Sequence, residues 1–143
     1  MAISCQGRLT EGIDAHPDWS PDGMQIAFST RPLGVVAISI YDFDDQTVHQ
    51  LTHIDRSPSA PDWSSDGTQF AMVYNPSHPG INFELYLMSA DGNRFVPLTD
   101  SAGNQFYANP DWSPDGKRIV YSADLEGNHD IYLMDPDGAN VVQ

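Results

Sequence analysis

One seven-residue motif occurs three times along the 143-residue chain. Residues 17–23 and 110–116 both read PDWSPDG, and residues 61–67 read PDWSSDG. The tryptophans of the three copies are 44 and 49 residues apart. A Leu-Thr pair recurs at a similar spacing, at residues 9–10, 51–52 and 98–99. Self-similarity at a period of about 40–45 residues indicates a repeat architecture, in which one supersecondary unit is copied and stacked.

Each copy also carries the signals of four short β-strands. The Asp-Gly pair of the motif predicts a tight turn, since Gly supplies a positive φ and Asp hydrogen-bonds its own backbone. A β-rich run follows this turn at residues 25–29, 69–74 and 118–122. A third run lies at residues 36–43, 83–88 and 130–134, and a fourth lies at residues 48–52, 94–99 and 140–143. Four strands per repeat at this period are typical of a β-propeller.

We therefore predict a single all-β propeller domain over residues 1–143, with three four-stranded antiparallel blades. The predicted blades span approximately residues 9–52, 53–99 and 100–143, with residues 1–8 available as a closing strand. In the third run of the last copy, Ile131 and Leu133 alternate with Tyr132 and Met134, so both faces are fairly apolar. A strand with two apolar faces suits a blade that packs between two neighbours.

The three copies resemble the repeat of the TolB-type propellers. That repeat is built around P-x-W-S-P-D-G, a β-run, D-I-Y-x-M-D and a closing L-T, and residues 130–135 here read DIYLMD. The first copy departs most, because residues 37–43 replace this segment and the second Asp-Gly turn is lost. Related blades occur in prolyl oligopeptidases, dipeptidyl peptidases and some oligogalacturonate lyases. The resemblance implies a six-bladed fold and a scaffolding role in an envelope complex, but a blade motif is poorly specific for function.

Three blades are too few to close a propeller, since propellers typically use about four to eight. The last copy stops at residues 141–143 without a Leu-Thr pair, and the missing pair stands at residues 9–10. We expect two chains to join head to tail as a homodimer that completes a six-bladed ring. The alternative is a structural fragment of a larger TolB-like protein. A nine-bladed trimer exceeds the usual range.

The composition excludes several classes of partner. A formal net charge of -14 argues against nucleic acid and anionic membranes, which need basic patches. The one cysteine, Cys5, rules out an intrachain disulfide. No apolar run approaches the roughly 18 residues of a membrane span, so we expect no membrane insertion. The first ten residues lack a signal-like core, which indicates a cytoplasmic chain as given, or a periplasmic one if a signal was removed.

Histidines are the first candidates for a binding or metal site. His16 and His53 fall in predicted segments between blades, and His78 and His129 fall in predicted loops between second and third strands. These two sets of segments emerge on one face of a propeller, around the channel mouth. His16 with a neighbouring carboxylate could hold a metal, and acidic ligands would favour calcium. No calcium-loop motif is present, so we expect no cofactor, with a divalent metal as the alternative.

The motif acids Asp18, Asp62 and Asp111 begin the innermost strand of each predicted blade. In a closed ring they would surround the axis as channel acids. One interpretation is an acidic throat that attracts a cation or a basic peptide. The other, which we favour, is that each carboxylate accepts backbone N–H bonds, because the same residue recurs in every copy.

The segments that differ between copies are the predicted binding surface. The third segment between blades carries Phe106, Tyr107 and Asn109. The rings of Phe106 and Tyr107 could anchor a partner if exposed, or pack against a neighbouring blade. The chain has no G-x-S-x-G elbow, P-loop or dinucleotide fingerprint. We therefore predict a non-enzymatic scaffold that binds a protein or peptide. The alternative is a small propeller lyase or hydrolase acting on a carbohydrate, which would use His16, His53 and the channel acids with a metal.

Overall fold

The computed structural model describes residues 13–31, 35–52, 57–76, 82–100, 105–125 and 127–143. All the regular elements in these ranges are β-strands, which confirms the predicted fold class. The same ranges include no helix long and apolar enough to cross a membrane. The predicted closing strand at residues 1–8 lies outside the described residues. The blade boundaries stay a prediction, because the junctions at residues 53–56 and 101–104 also lie outside them.

The first two blades are four-stranded antiparallel sheets whose strands follow chain order. The first contains β1 (Asp14–Trp19), β2 (Gln25–Thr30), β3 (Ala37–Asp42) and β4 (Thr47–Gln50). The second contains β5 (Ser59–Trp63), β6 (Gln69–Tyr74), β7 (Glu84–Ser89) and β8 (Phe95–Pro97). The innermost strand of each blade is therefore the one that ends in the motif tryptophan.

The third blade is less complete at its outer edge. It contains β9 (Phe106–Trp112), β10 (Ile119–Asp124) and β11 (His129–Met134) in one three-stranded antiparallel sheet. In place of the fourth strand predicted at residues 140–143, a single bridge joins Leu133 to Val142. Two backbone hydrogen bonds of 2.8 and 2.9 Å hold that bridge.

The repeated serine and aspartate of the motif build a turn. The Ser20 hydroxyl donates to the Asp22 carboxylate at 2.6 Å and accepts the Gln25 amide at 2.9 Å. The other two copies repeat the first contact at 2.7 Å, from Ser64 to Asp66 and from Ser113 to Asp115. These side chains satisfy backbone groups that the chain reversal exposes, so the repeated serine and aspartate have a structural role in the turn.

The core lies between the blades. Trp63, Phe70 and Met72 of the second blade pack with apolar side chains of the first, which are Ala27, Ile38 and Ile40. The next interface repeats this arrangement with Trp112, Ile119 and Tyr121 against Ala71, Val73 and Leu85. Trp63 and Trp112 therefore each fill the space behind the preceding blade.

The second turn of the later blades lies directly against the chain of the blade before it. Gly92 has a φ of +73°, and a Cβ added there would be 2.7 Å from the backbone oxygen of Leu51. Gly138 repeats this geometry, at 2.9 Å from the oxygen of Leu98. Glycine is needed at both positions for its positive φ and for the close approach.

Replacing Gly92 by alanine tests this contact. Gly127 is the control, because its φ is +81° but a Cβ there would meet nothing within 4 Å. We expect Gly127→Ala to lower the free energy of unfolding by about 1 kcal/mol through backbone strain alone. Gly92→Ala should cost a further ~1–3 kcal/mol, because the new methyl group must displace the preceding blade. Equal losses in urea denaturation of the two variants would contradict the close packing.

Candidate functional site

A β-bulge interrupts the innermost strand of every blade. The residue three positions before each motif tryptophan has a left-handed backbone, with φ of 52° at His16, 51° at Ala60 and 50° at Asn109. The register against the second strand shifts at the same place in all three blades. His16 and Asn109 thus lie within strands, which corrects their predicted placement in segments between blades. Both side chains are exposed.

The motif acids link consecutive blades, and each lies one residue before the end of its innermost strand, not at the beginning as predicted. One carboxylate oxygen of Asp18 accepts the backbone N–H of Trp63 at 2.7 Å, and one of Asp62 accepts that of Trp112 at 2.5 Å. Donor and acceptor are 45 and 50 residues apart, so both bonds cross between blades. A hydrogen bond to an ionised acceptor is stronger than a neutral one. Asp18 and Asp62 therefore join the inner edges of the stack.

The surroundings of Asp18 and Asp62 disfavour the ionised form of their carboxyl groups. Burial raises the pKa of Asp62 to about 7, helped by the negative charges of Asp18 and Asp111 and opposed by the hydrogen bond from Trp112. Burial also raises the pKa of Asp18, and the amides of Trp63 and Trp19 oppose the shift. The three predicted channel acids thus lie close enough to interact electrostatically.

Asp111 differs from its two counterparts. Its side chain is exposed, and within the described part of the chain its carboxylate accepts no backbone N–H of a neighbouring blade. It is the one motif acid in the described stack with no following blade. Its carboxylate can therefore still accept a backbone N–H from another blade.

A second cluster forms at the opposite end of the third blade. Asp124 in β10 pairs with Phe106 in β9 and with His129 in β11, which brings these three side chains to one edge. His129 Nε2 lies 3.6 Å from an Asp124 carboxylate oxygen. Phe106 is 41% exposed and meets Phe83 of the second blade edge to face, with ring centroids 5.3 Å apart. We call Phe83, Phe106, Asp124 and His129 the rim patch.

Tyr107 is not part of this exposed surface. It is 6% exposed and packs in the cluster between the second and third blades, which agrees with the second of its two interpretations, packing against a neighbouring blade. The reason is strand alternation, since Phe106 points outward and its neighbour must point inward. Its hydroxyl donates to the Gln105 side chain at 3.0 Å, and burial raises the pKa of Tyr107.

Two predicted site residues, His53 and His78, lie outside the described residues. Among those that are described, no three His, Cys, Asp or Glu side chains come together in a group that could hold a metal. Whether the chain takes a cofactor stays a prediction. Sequence reasoning missed Phe83 and Asp124 as site residues. Asp124, Phe106 and His129 all lay outside the predicted strand runs, so their pairing in the sheet could not be read from those runs.

The raised pKa of Asp62 predicts an unusual pH dependence of stability. Below its unfolded pKa of 3.8 the protonated side chain is fully compatible with burial, and this stabilisation is lost as the pH rises towards 7. The turn acids behave oppositely, because serine hydroxyls lower the pKa of Asp66 and its counterparts. They lose stability only as the pH falls below about 3.8.

We expect the urea midpoint of unfolding to be highest near pH 4 and to fall towards neutrality. Asp62→Asn keeps an oxygen acceptor for Trp112 without the charge, so it should flatten this fall. The control Asp66→Asn should lower stability overall and leave the slope between about pH 4 and 7 unchanged. An identical slope in the wild type and Asp62→Asn would contradict the raised pKa.

Comparison with known proteins agrees with this architecture. The profile of the PD40 family, described as the TolB beta propeller domain, matches residues 11–143. An uncharacterized protein of Agrobacterium fabrum is 31% identical over 124 residues, which cover 80% of this chain and 42% of that protein. The Tol-Pal system protein TolB of Xanthomonas campestris is 37% identical over 59 residues, covering 41% of this chain and 13% of that protein.

Solved structures show the same likeness. The structure of a protein described as putative TolB from Agrobacterium tumefaciens superposes with a TM-score of 0.80 at 26% identity. The match covers 94% of this chain and 50% of that one. This chain therefore spans half or less of the length of the relatives that it matches. From the match over residues 11–143, the chain belongs to the PD40 family of TolB beta propeller domains.

Proposed function

We propose that the chain is a non-enzymatic scaffold that binds a protein or peptide segment through one end of its blades. The observation that carries this proposal is the contrast between the two ends of each blade. At one end the same turn recurs three times with its polar groups internally bonded. At the other end the side chains differ from blade to blade and several remain exposed.

The repeated end offers a partner little to bind. In each copy the serine hydroxyl and the aspartate carboxylate bond each other and the backbone of the turn. A ligand would have to break these contacts to use the same groups. Recurrence in every blade also fits a structural role better than a specific site.

The variable end has the features of a small docking surface. The rim patch combines a half-exposed aromatic ring with a polar edge, the composition that anchors many protein interfaces. A concavity of about 390 Å³ lies beside β7 and β8. The exposed residue Asp100 is among those that line it. The whole chain carries a formal net charge of -14. A surface on such a chain favours a partner segment that carries basic side chains.

The relatives support a role in assembly. Several of them are named Tol-Pal system protein TolB. The Pal protein of the same organism is therefore the first partner to test. The chain's coverage of its relatives also fits three blades that form part of a larger TolB-like propeller, and the rim patch would serve the same purpose there.

Replacing Phe106 by alanine tests the docking surface. If the rim patch anchors Pal, Phe106→Ala should weaken binding measured by calorimetry by about tenfold or more. Phe95→Ala is the matched control, because Phe95 is 38% exposed but lies on the outer strand of the second blade. It should bind as the wild type does.

Equal losses in the two variants would place the contact elsewhere. Absence of any binding between the wild type and Pal would remove that partner. Turnover of a carbohydrate substrate by the purified chain would overturn the non-enzymatic proposal itself.

A further inference from the structure

The two outer faces of the blade stack are unequal. Trp19 is 58% exposed, whereas the equivalent Trp63 and Trp112 are 9% and 7% exposed. The two buried rings pack behind a preceding blade, and the described residues place no blade before β1. The first blade therefore presents an apolar ring of the kind that the other blades insert into a neighbour.

The third blade presents the opposite half of the same interface. Ile131 lies opposite Ser122 in the register, as Ile38 lies opposite Ser29 and Leu85 opposite Val73. Ile38 and Leu85 are fully buried by the next blade, whereas Ile131 is 63% exposed. The third blade thus has an apolar receiving surface without a tryptophan on it.

The polar groups of the two faces match in the same way. The exposed carboxylate of Asp111 corresponds to those of Asp18 and Asp62, each of which accepts the tryptophan amide of the next blade. On the other face, the Trp19 amide acts on the carboxylate of Asp18 in its own strand, and no carboxylate of another described blade accepts it. One face therefore has the acceptor and the other has the donor.

A second hydrogen bond repeats the match. At the first interface the Ala60 amide in the bulge donates to the Ser29 hydroxyl at 2.9 Å. The second interface cannot form this bond, because Val73 occupies the serine position. The outer faces can, since Ser122 stands there on the third blade and the bulge residue His16 on the first pairs with no residue of β2. The Ser122 hydroxyl donates to the Ala108 carbonyl at 3.1 Å and accepts the Asn109 side-chain amide at 3.4 Å. This leaves its second lone pair for the His16 amide.

We propose that a second copy of this chain docks head to tail on these faces. At each seam Asp111 accepts the Trp19 amide of the other copy, Ser122 accepts the His16 amide, and the Trp19 ring covers Ile131. Two such seams related by a two-fold axis close the stack into a ring. Two copies would together match the length of the putative TolB structure, because this chain covers 50% of it.

The outer part of the seam must differ from the internal interfaces. Gln46 follows Asp45 as Gly92 follows Asp91, and its φ is also positive, at 58°. A Cβ at Gly92 would meet the preceding chain at 2.7 Å, so the side chain of Gln46 forbids that approach. The inner strand and the tryptophan must therefore provide most of the contact.

The solution mass of the purified chain tests the proposal. Light scattering should give twice the chain mass of 15.8 kDa, with no larger species. A monomer at all concentrations would overturn the proposal, and it would indicate that blades of a longer polypeptide cover these faces. Open filaments would overturn the closed ring. Neither result would bear on the rim patch, whose function is tested separately.

Variants at the seam distinguish this interface from any other. Ile131→Asp places a charge on an exposed position, so the chain should fold and be monomeric. Asp111→Ala should raise the dissociation constant of the dimer by about tenfold, and Asp111→Asn should raise it less, because its amide oxygen still accepts the Trp19 N–H. Asp62→Ala removes the same bond inside the stack, so it should lower unfolding stability and leave dissociation unchanged.

Fluorescence gives an independent readout. Acrylamide should quench one of the three tryptophans in monomeric Ile131→Asp and none of them strongly in the wild-type dimer. Strong acrylamide quenching of Trp19 in the wild-type dimer would show that the copies meet through another surface. The same conclusion would follow if Ile131→Asp and Asp111→Ala left the mass of the dimer unchanged.

Discussion

The hydrogen bond from a tryptophan amide to the aspartate of the preceding blade is the interaction on which the stack depends. The innermost strands are sheet edges, so their outward N–H groups have no partner within their own blade. Asp18 and Asp62 satisfy these donors across the gap and fix the position of the next blade. The cost is burial of a carboxylate, which raises the pKa of Asp62 to about 7. The blade interface is therefore sensitive to protonation near neutral pH.

The tryptophan contributes its ring volume and its backbone rather than its indole nitrogen. The indole N–H groups of Trp63 and Trp112 are buried and have no hydrogen-bond acceptor among the described residues. Leaving such a donor unpaired is unfavourable, so the packing between blades must outweigh it. Trp63 meets Phe70 with ring centroids 4.4 Å apart and fills the space behind the first blade. The adjacent aspartate makes the directional contact, and the ring provides the buried area.

Period and turn chemistry predicted the fold because they are local properties of the sequence. The three copies of the motif set the blades, and strand runs such as residues 25–29 came within a residue of β2 (Gln25–Thr30). The bulge could not be predicted from a shared residue type, because its left-handed position holds His16, Ala60 and Asn109 in the three blades, and alanine does not favour that backbone. This affected the predicted site residues, because His16 and Asn109 lie within the bulged strands and not in the segments between blades. The burial of Tyr107 was ambiguous for another reason. Phe106 and Tyr107 are adjacent aromatic residues, and the sequence does not reveal which of the two rings faces the core.

The pattern of contacts also determines how stability is distributed. Each blade contacts only its neighbours, so the stack behaves as a one-dimensional array whose free energy is a sum of blade and interface contributions. The second blade has an interface on each side, while the first and third have one each. When nothing covers the outer faces of the first and third blades, the ends of the array therefore open more readily than its centre. The third blade adds to this asymmetry, because only one bridge to Val142 secures its outer edge. Fraying should begin there and spread inward, so the local stability of a blade depends on its place in the array as much as on its own sequence.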